Sequence, residues 1–158
     1  MRGANRGYDI AFYDGEQMTT CVSNGLRFQD LVPAVHTEVV CSVLTDQAEA
    51  GRYLVDVVSD RVVGGGVMPP LGTLMFWDSP LFNGTQIPAL VTGLHPYFGA
   101  GFNLFEDEQN GMQIHLLTLI AATGSEVAFA QAHSVQALGK RWETDGTPLF
   151  DVERAPVV

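Results

Sequence analysis

Apolar and polar residues alternate along the first part of the chain, as they do in strands of a sheet that is covered on one face. The segments 8–13 (YDIAFY) and 18–23 (MTTCVS) are rich in β-branched and aromatic residues, and the turn-forming sequence DGEQ separates them. The segment 36–43 (HTEVVCSV) has a similar composition. We therefore predict a hairpin of two strands, followed by a third strand.

The spacing of apolar residues changes after residue 45 from that of a strand to that of a helix. Apolar side chains recur at Ala50, Leu54, Val57, Val58 and Val62, and polar side chains fill the opposite side. We expect Asp46 to cap the first turn, with Glu49 three residues further on, in a variant of the capping box. Three consecutive glycines at 64–66 should end the helix.

The second half of the chain is less regular until it reaches a strongly apolar segment. Residues 67–109 hold most of the prolines, which predicts short strands joined by long loops, and 94–111 has the composition of an exposed, irregular surface segment. Residues 112–120 are apolar on both faces, which is typical of a central strand covered on each side. Thr123 and Glu126 then have the spacing of a capping box. Helices are predicted at 124–133 and 135–143.

The composition is that of a compact fold with one core. The chain has 158 residues, of which 46% are hydrophobic and 16% are charged. We expect a flexible N-terminus at 1–7 and a single domain over 8–158.

Cys21 and Cys41 should be buried free thiols, with a disulfide between them as the alternative. No apolar run approaches the roughly 20 residues that span a bilayer, and no hydrophobic signal segment follows the first arginines, so a cytoplasmic protein is predicted.

The charge is strongly acidic, with 18 Asp and Glu against 8 Lys and Arg and a formal net charge of −10. Such a charge repels nucleic acid and attracts a basic protein partner, although acidity also serves simply to keep a protein in solution. The clearest candidate for a binding patch lies within residues 94–111. It combines two aromatic anchors with three carboxylates, namely Phe102, Phe105, Glu106, Asp107 and Glu108.

One short motif, His36-x-Glu38, has the character of a metal or acid–base site, because this spacing puts both side chains on one face of a strand. A zinc deaminase would also need a downstream P-C-x-x-C, which the chain lacks, and the other interpretation is a half-buried histidine beside a solvated carboxylate. Motifs for an activated serine, a phosphate loop or a dinucleotide are also missing. We therefore predict no catalytic residue, no metal and no cofactor. The alternative is a hydrolase or metal enzyme that uses His36 and Glu38 with His95 or His115 alongside.

The order of these segments resembles that of the suppressor-of-fused (SUFU) domain as it occurs in bacterial proteins. YDIAFY, CVSNGL (21–26) and HTEVVCSV are similar to the family's opening strand, its T-x-G-hydrophobic strand end and its E-L/V strand, with Ser23 in place of the usual threonine. The segment 114–154 resembles the family's buried strand, its closing helices and its terminal Asp…Arg segment, here Asp151 and Arg154. The resemblance extends over residues 8–154 and is weakest in the middle third.

This resemblance implies an α/β (α+β) fold with a central mixed, largely antiparallel sheet flanked by helices, in a domain that binds proteins. The eukaryotic founder of the family clamps an extended peptide of a transcription factor between two domains. Small bacterial members are associated with polymorphic toxin systems as immunity proteins. The leading hypothesis is thus a non-enzymatic immunity protein for a basic toxin, and a further alternative is a regulator that sequesters another basic protein.

Overall fold

The computed structural model describes residues 7–82 and 85–158, so the expected flexible segment at 1–7 lies outside it except for Gly7. Within these ranges the chain forms seven strands and three α-helices. In chain order they are β1 Asp9–Asp14, β2 Met18–Asn24, β3 Thr37–Leu44, α1 Ala48–Gly65, β4 Leu74–Phe76, β5 Ala89–Gly93, β6 Leu104–Asp107, β7 Met112–Ala122, α2 Gly124–Ala132 and α3 Val135–Asp145. The single domain over 8–158 remains a prediction. No helix in the described ranges is long and apolar enough to cross a membrane.

The strands form one mixed sheet in the order β1-β2-β3-β7-β5-β4, and β6 also pairs with β7. Strands β3 and β7 run parallel, and every other pair is antiparallel. Strand β5 pairs with the C-terminal half of β7 and β6 with its N-terminal half, both on the edge opposite β3, so β5 and β6 lie end to end. The predicted mixed, largely antiparallel sheet flanked by helices is confirmed.

Helix α1 covers one face of the sheet over β2 and β3. Its buried side chains, Leu54, Val55, Val58 and Val62, join those of Cys21, Val39, Cys41, Val43, Leu117 and Leu119 in the main core. The two cysteines are buried free thiols at paired positions on β2 and β3. A Cβ at Gly51 would lie 2.9 Å from Val43 Cγ2, so this glycine allows the helix to approach the sheet closely.

The predicted ends of α1 are only partly correct. A 3₁₀ turn at Thr45–Gln47 leads directly into the helix, and the N-cap residue is Gln47, which makes no side-chain cap hydrogen bond. The prediction of an Asp46 cap is therefore wrong, because Asp46 lies inside that turn. At the other end, Gly64 and Gly65 remain helical, and Gly66 ends the helix with φ of 67°.

Helices α2 and α3 pack against the opposite face of the sheet, over β5 and the C-terminal half of β7. Their core contains Ala89, Val91, Ile120, Ala122, Val127, Ala130, Leu138 and Trp142. The C-terminal half of strand β7 is thus covered on both faces, as predicted, and the strand continues to Ala122; in its N-terminal half Gln113 and His115 are exposed. The irregular segment predicted at 94–111 contains strand β6 instead, because the N-terminal half of β7 has backbone groups on this edge that need partners.

The predicted capping box at Thr123 and Glu126 is confirmed and also anchors the C-terminal segment. Glu126 is 0% exposed and receives bonds from both terminal nitrogens of Arg154, Nη1 to Oε1 at 2.6 Å and Nη2 to Oε2 at 2.9 Å. Burial alone would raise the pKa of Glu126, but the Arg154 guanidinium and the Thr123 amide outweigh it and hold that pKa below its ordinary value. Asp151 accepts a bond from Gln47 at the start of α1. The terminal Asp…Arg segment therefore joins both helical layers.

We predict that Arg154→Ala lowers the free energy of unfolding by about 3 to 5 kcal/mol, because it leaves the Glu126 carboxylate buried without its cation. The matched control is Arg141→Ala, whose guanidinium forms an exposed pair with Asp145 at 2.7 Å and should contribute only about 0.3 to 0.5 kcal/mol. Urea denaturation of both variants measures the difference. Equal, small losses would contradict the role of the buried pair.

Candidate partner-binding groove

The face of the sheet opposite α1 is only partly covered by α2 and α3, and an open groove of about 820 Å³ lies on the uncovered part. Its floor is formed by Thr20 and Val22 of β2 and Leu116 of β7. Tyr13 and the 14–17 turn form one wall, and Phe98, Phe102 and Phe105 line the other. We call this feature the aromatic groove.

Stacked rings build the aromatic wall, within the connection between β5 and β6. The Phe98 ring lies flat on the His95 imidazole, with centroids 4.0 Å apart and planes inclined by 10°. Phe102 meets both rings edge-on, at 4.9 Å from His95 and 4.7 Å from Phe98. The Asn103 side chain accepts a hydrogen bond from the His95 backbone amide at 2.9 Å, which closes the loop on itself. The wall is therefore fixed by local contacts.

His95 holds this loop as a neutral side chain of defined tautomer. It is 5% exposed, and its Nδ1 atom accepts hydrogen bonds from the amides of Tyr97 and Phe98 at 3.2 and 3.1 Å. Because Nδ1 is an acceptor, the proton of the neutral ring is on Nε2, which donates to Ser42 Oγ at 2.7 Å. Burial lowers the pKa of His95 to about 4. A base that activates serine must accept the hydroxyl proton, and this histidine donates to the hydroxyl instead.

The five predicted binding residues divide between the groove and the adjacent turn. Phe102 and Phe105 line the groove. Glu106 is exposed but follows Phe105 on the strand, so its side chain points to the opposite face. Asp107 accepts bonds from the Asn110 side chain at 2.7 Å and from two backbone amides of its own turn, and the pKa of its carboxyl is lowered mainly by that Asn110 bond. Glu108 is exposed in the same turn.

The charged residues that line the groove are acidic and come from the other wall. They are Asp14 and Glu16, which the sequence pattern does not single out, because only folding brings the β1–β2 turn opposite the connection between β5 and β6, which we call the aromatic loop. Asp14 alternates with Tyr13 on β1 and accepts a bond from Thr19 Oγ1 at 2.8 Å, so its carboxylate points to the α1 face, whereas Glu16 in the turn is exposed. The groove thus combines an apolar interior with one exposed carboxylate, that of Glu16, at its mouth.

The structure places His36 and Glu38 in different environments. Glu38 is 2% exposed and accepts bonds from the Ser23 hydroxyl, from the guanidinium of Arg27, and from the backbone amides of residues 25–27. The expectation of a solvated carboxylate is therefore wrong, because the loop after β2 folds back over β3 and needs an acceptor for its amides. His36 precedes β3, is exposed, and lies with Nδ1 3.0 Å from the Arg27 carbonyl oxygen.

In the described ranges, no group of three or more His, Cys, Asp and Glu side chains is arranged to hold a metal ion. Every oxygen of Glu38 is already used by at least two donors. The alternative of a metal enzyme built on His36 and Glu38 thus gains no support from the geometry.

We predict that the free energy of unfolding decreases as the pH is lowered from about 6.5 towards 4, because the pKa of His95 is depressed in the folded state and the unfolded chain binds the proton more readily. Between pH 7 and pH 5 the contribution of His95 is on the order of 1 to 2 kcal/mol. Urea denaturation at both pH values should show this pH dependence reduced in His95→Gln and retained in His115→Gln, the exposed control. An unchanged dependence in His95→Gln would contradict the buried neutral state.

No family model and no curated protein matches the chain. Several solved structures share its fold. A SUFU homologue from Neisseria gonorrhoeae FA 1090 superposes with a TM-score of 0.68 at 16% identity, covering 96% of this chain and 88% of the homologue. A chain of the Sufu–Fu complex gives a TM-score of 0.72 at 11% identity, covering 98% and 80%.

Suppressor of Fused from Drosophila gives a TM-score of 0.69 at 12% identity over 98% of this chain, which spans only 44% of the length of the Drosophila protein. All three comparisons cover nearly the whole of this chain, with TM-scores from 0.68 to 0.72. The chain therefore has the suppressor-of-fused fold that its sequence resembles.

Proposed function

We propose that this chain is a non-enzymatic protein-binding domain that neutralises a basic toxin effector as an immunity protein of a bacterial polymorphic toxin system. The observation that carries the proposal is the aromatic groove, an apolar surface with the exposed Glu16 at its mouth and no basic residue in its described lining, in a chain of net charge −10. A cytoplasmic location is part of the proposal, and the two free, buried thiols support it.

The groove has the features of an interface centre. Tyr13, Phe98 and Phe105 expose large parts of their rings around an apolar floor, and aromatic pockets of this kind supply most of the binding energy in protein interfaces. A partner that inserts an apolar side chain would bury these rings together with Val22 and Leu116. The stacked rings and the hydrogen bond between the His95 amide and Asn103 hold the aromatic wall in place without a partner.

The charge of the groove selects the partner. Glu16 is the exposed carboxylate of one wall, and no Lys or Arg is among the described lining residues. A complementary basic surface is steered towards such a site, which raises the association rate more than the affinity. Many toxins act on nucleic acids and are therefore basic, so a protein of net charge −10 is suited to cover their substrate-binding face.

The fold comparison supports the coarser part of the proposal, since one of the similar structures is the Sufu–Fu complex, in which the fold binds a protein. The regulator that sequesters another basic protein would use the same groove and differs only in its partner. Co-expression with toxins encoded beside the gene separates the two. Protection of the cells together with a co-purifying complex is expected for the immunity protein, and loss of both for every neighbouring toxin rejects it.

We predict that Phe105→Ala weakens binding to the partner toxin at least about tenfold, because Phe105 is an exposed ring that lines the groove. Phe76→Ala is the matched control. Phe76 also lies on a strand and is 44% exposed, against 45% for Phe105, but it is outside the groove lining. Calorimetric titration measures both dissociation constants. Similar effects of the two substitutions would place the interface elsewhere.

A second prediction concerns the association rate. Glu16→Gln should slow association with the basic toxin severalfold at low salt and leave the rate nearly unchanged at high salt, because the steering charge lies at the groove. Glu106→Gln is the control, since Glu106 points to the opposite face of the sheet. Stopped-flow measurements at two salt concentrations test this. A larger effect of Glu106→Gln than of Glu16→Gln would instead favour Glu106 and the turn with Asp107 and Glu108 as the contact.

A further inference from the structure

The floor of the aromatic groove contains a buried hydroxyl group. Thr20 lies on β2 between Tyr13 of β1 and Ser42 of β3, and the three side chains point to the same face of the sheet. Thr20 is 7% exposed, and its neighbours in the floor, Val22 and Leu116, are apolar. A hydroxyl group in such a position needs an acceptor for its proton and a donor for its oxygen.

The direction of the hydrogen bonds that reach Thr20 follows from the geometry of His95. Its Nδ1 atom accepts from two amides, so its Nε2–H donates to Ser42 Oγ at 2.7 Å. Ser42 Oγ lies 2.7 Å from Thr20 Oγ1. Among the described hydrogen bonds of Ser42, Thr20 Oγ1 is the acceptor for its hydroxyl proton. Ser42 therefore donates to Thr20. The proton of the Thr20 hydroxyl is left without an acceptor among the described hydrogen bonds, at the floor of the groove.

We propose that the Thr20 hydroxyl donates a hydrogen bond to an acceptor atom of the partner segment that enters the aromatic groove, with a backbone carbonyl oxygen as the chemical class. This inference rests on the proposed function and specifies how the groove distinguishes ligands. The chain of donors from His95 through Ser42 polarises the Thr20 hydroxyl, and apolar surroundings strengthen the bond that it makes. A ligand that covers Thr20 without an acceptor leaves the donor unsatisfied and loses affinity.

The site therefore suits a polypeptide in extended conformation. Such a segment presents a carbonyl oxygen next to an apolar side chain, so one residue can reach Thr20 while its side chain lies between Tyr13 and Phe98. A basic side chain next to it would lie near Glu16 at the mouth. Acceptor, apolar body and positive charge together define the ligand.

Two small probes of similar size test the donor, acetophenone and ethylbenzene, since the first carries a carbonyl oxygen and the second has none. Each is titrated into the isotopically labelled full chain, and amide shifts of groove residues are followed by NMR. The wild type should bind acetophenone more tightly than ethylbenzene by about three- to tenfold. This preference should disappear in Thr20→Val, which keeps the shape of the side chain, and persist in Thr20→Ser, which keeps the hydroxyl.

Ser42→Ala is a second variant, which removes the donor to Thr20 and should reduce the preference even if Thr20→Val does not fold. Equal binding of the two probes by the wild type, or an unchanged preference in Thr20→Val, would overturn the role of Thr20, and so would the absence of shifts in the groove with either probe. These results differ from failure of the proposed function. If only the role of Thr20 fails, the Thr20→Val variant keeps the wild type's preference for acetophenone, while the toxin complex and the protection of the cells are still observed.

Discussion

Strand β7 is hydrogen-bonded along both edges, and its C-terminal half is covered on both faces, so it has one stable register. Strand β3 pairs with one of its edges, whereas β6 and β5 share the other edge end to end. A shift of one residue would turn Leu117 and Leu119 from the α1 side towards the opposite face, so the register decides which side chains each layer receives. The aromatic loop depends on this arrangement, because it is the connection that takes the chain from β5 to β6 along the same edge.

Two buried carboxylates hold the irregular segments against this sheet. Glu38 accepts hydrogen bonds from backbone amides of the loop after β2 and so fixes that loop on β3. Glu126 binds Arg154 and so anchors the C-terminal segment. Burying each charge costs free energy that only several well-placed donors offset. Each carboxylate is consequently tied to one conformation of the surrounding chain. The loops gain a fixed shape that neither helix nor strand pairing would give them.

Local patterns predicted the hairpin, the third strand, α1, the buried β7 and the capping box, because periodicity and cap spacing are properties of short segments. These patterns failed where contacts with residues distant in the sequence determine the environment of a side chain. Glu38 is a charged residue of the kind that is usually solvated, but its donors belong to a loop that folds back over it. Phe102 and Phe105 could be identified as aromatic residues in a polar region. Tyr13 and Glu16 could not, since they belong to the groove only after the β1–β2 turn meets the aromatic loop.

The same hydrogen bonds explain why a close serine–histidine pair serves recognition. Two amides occupy Nδ1 of His95, which leaves Nε2 as a donor to Ser42 and removes the acceptor that acid–base chemistry would need. Those bonds, with the stacked Phe98 ring, order the aromatic wall during folding. Ordering a flexible interface side chain on binding costs about 0.5 to 1.5 kcal/mol, so a wall that is already ordered leaves more of the contact energy for affinity. The arrangement that makes His95 a poor base thus gives the groove its fixed shape.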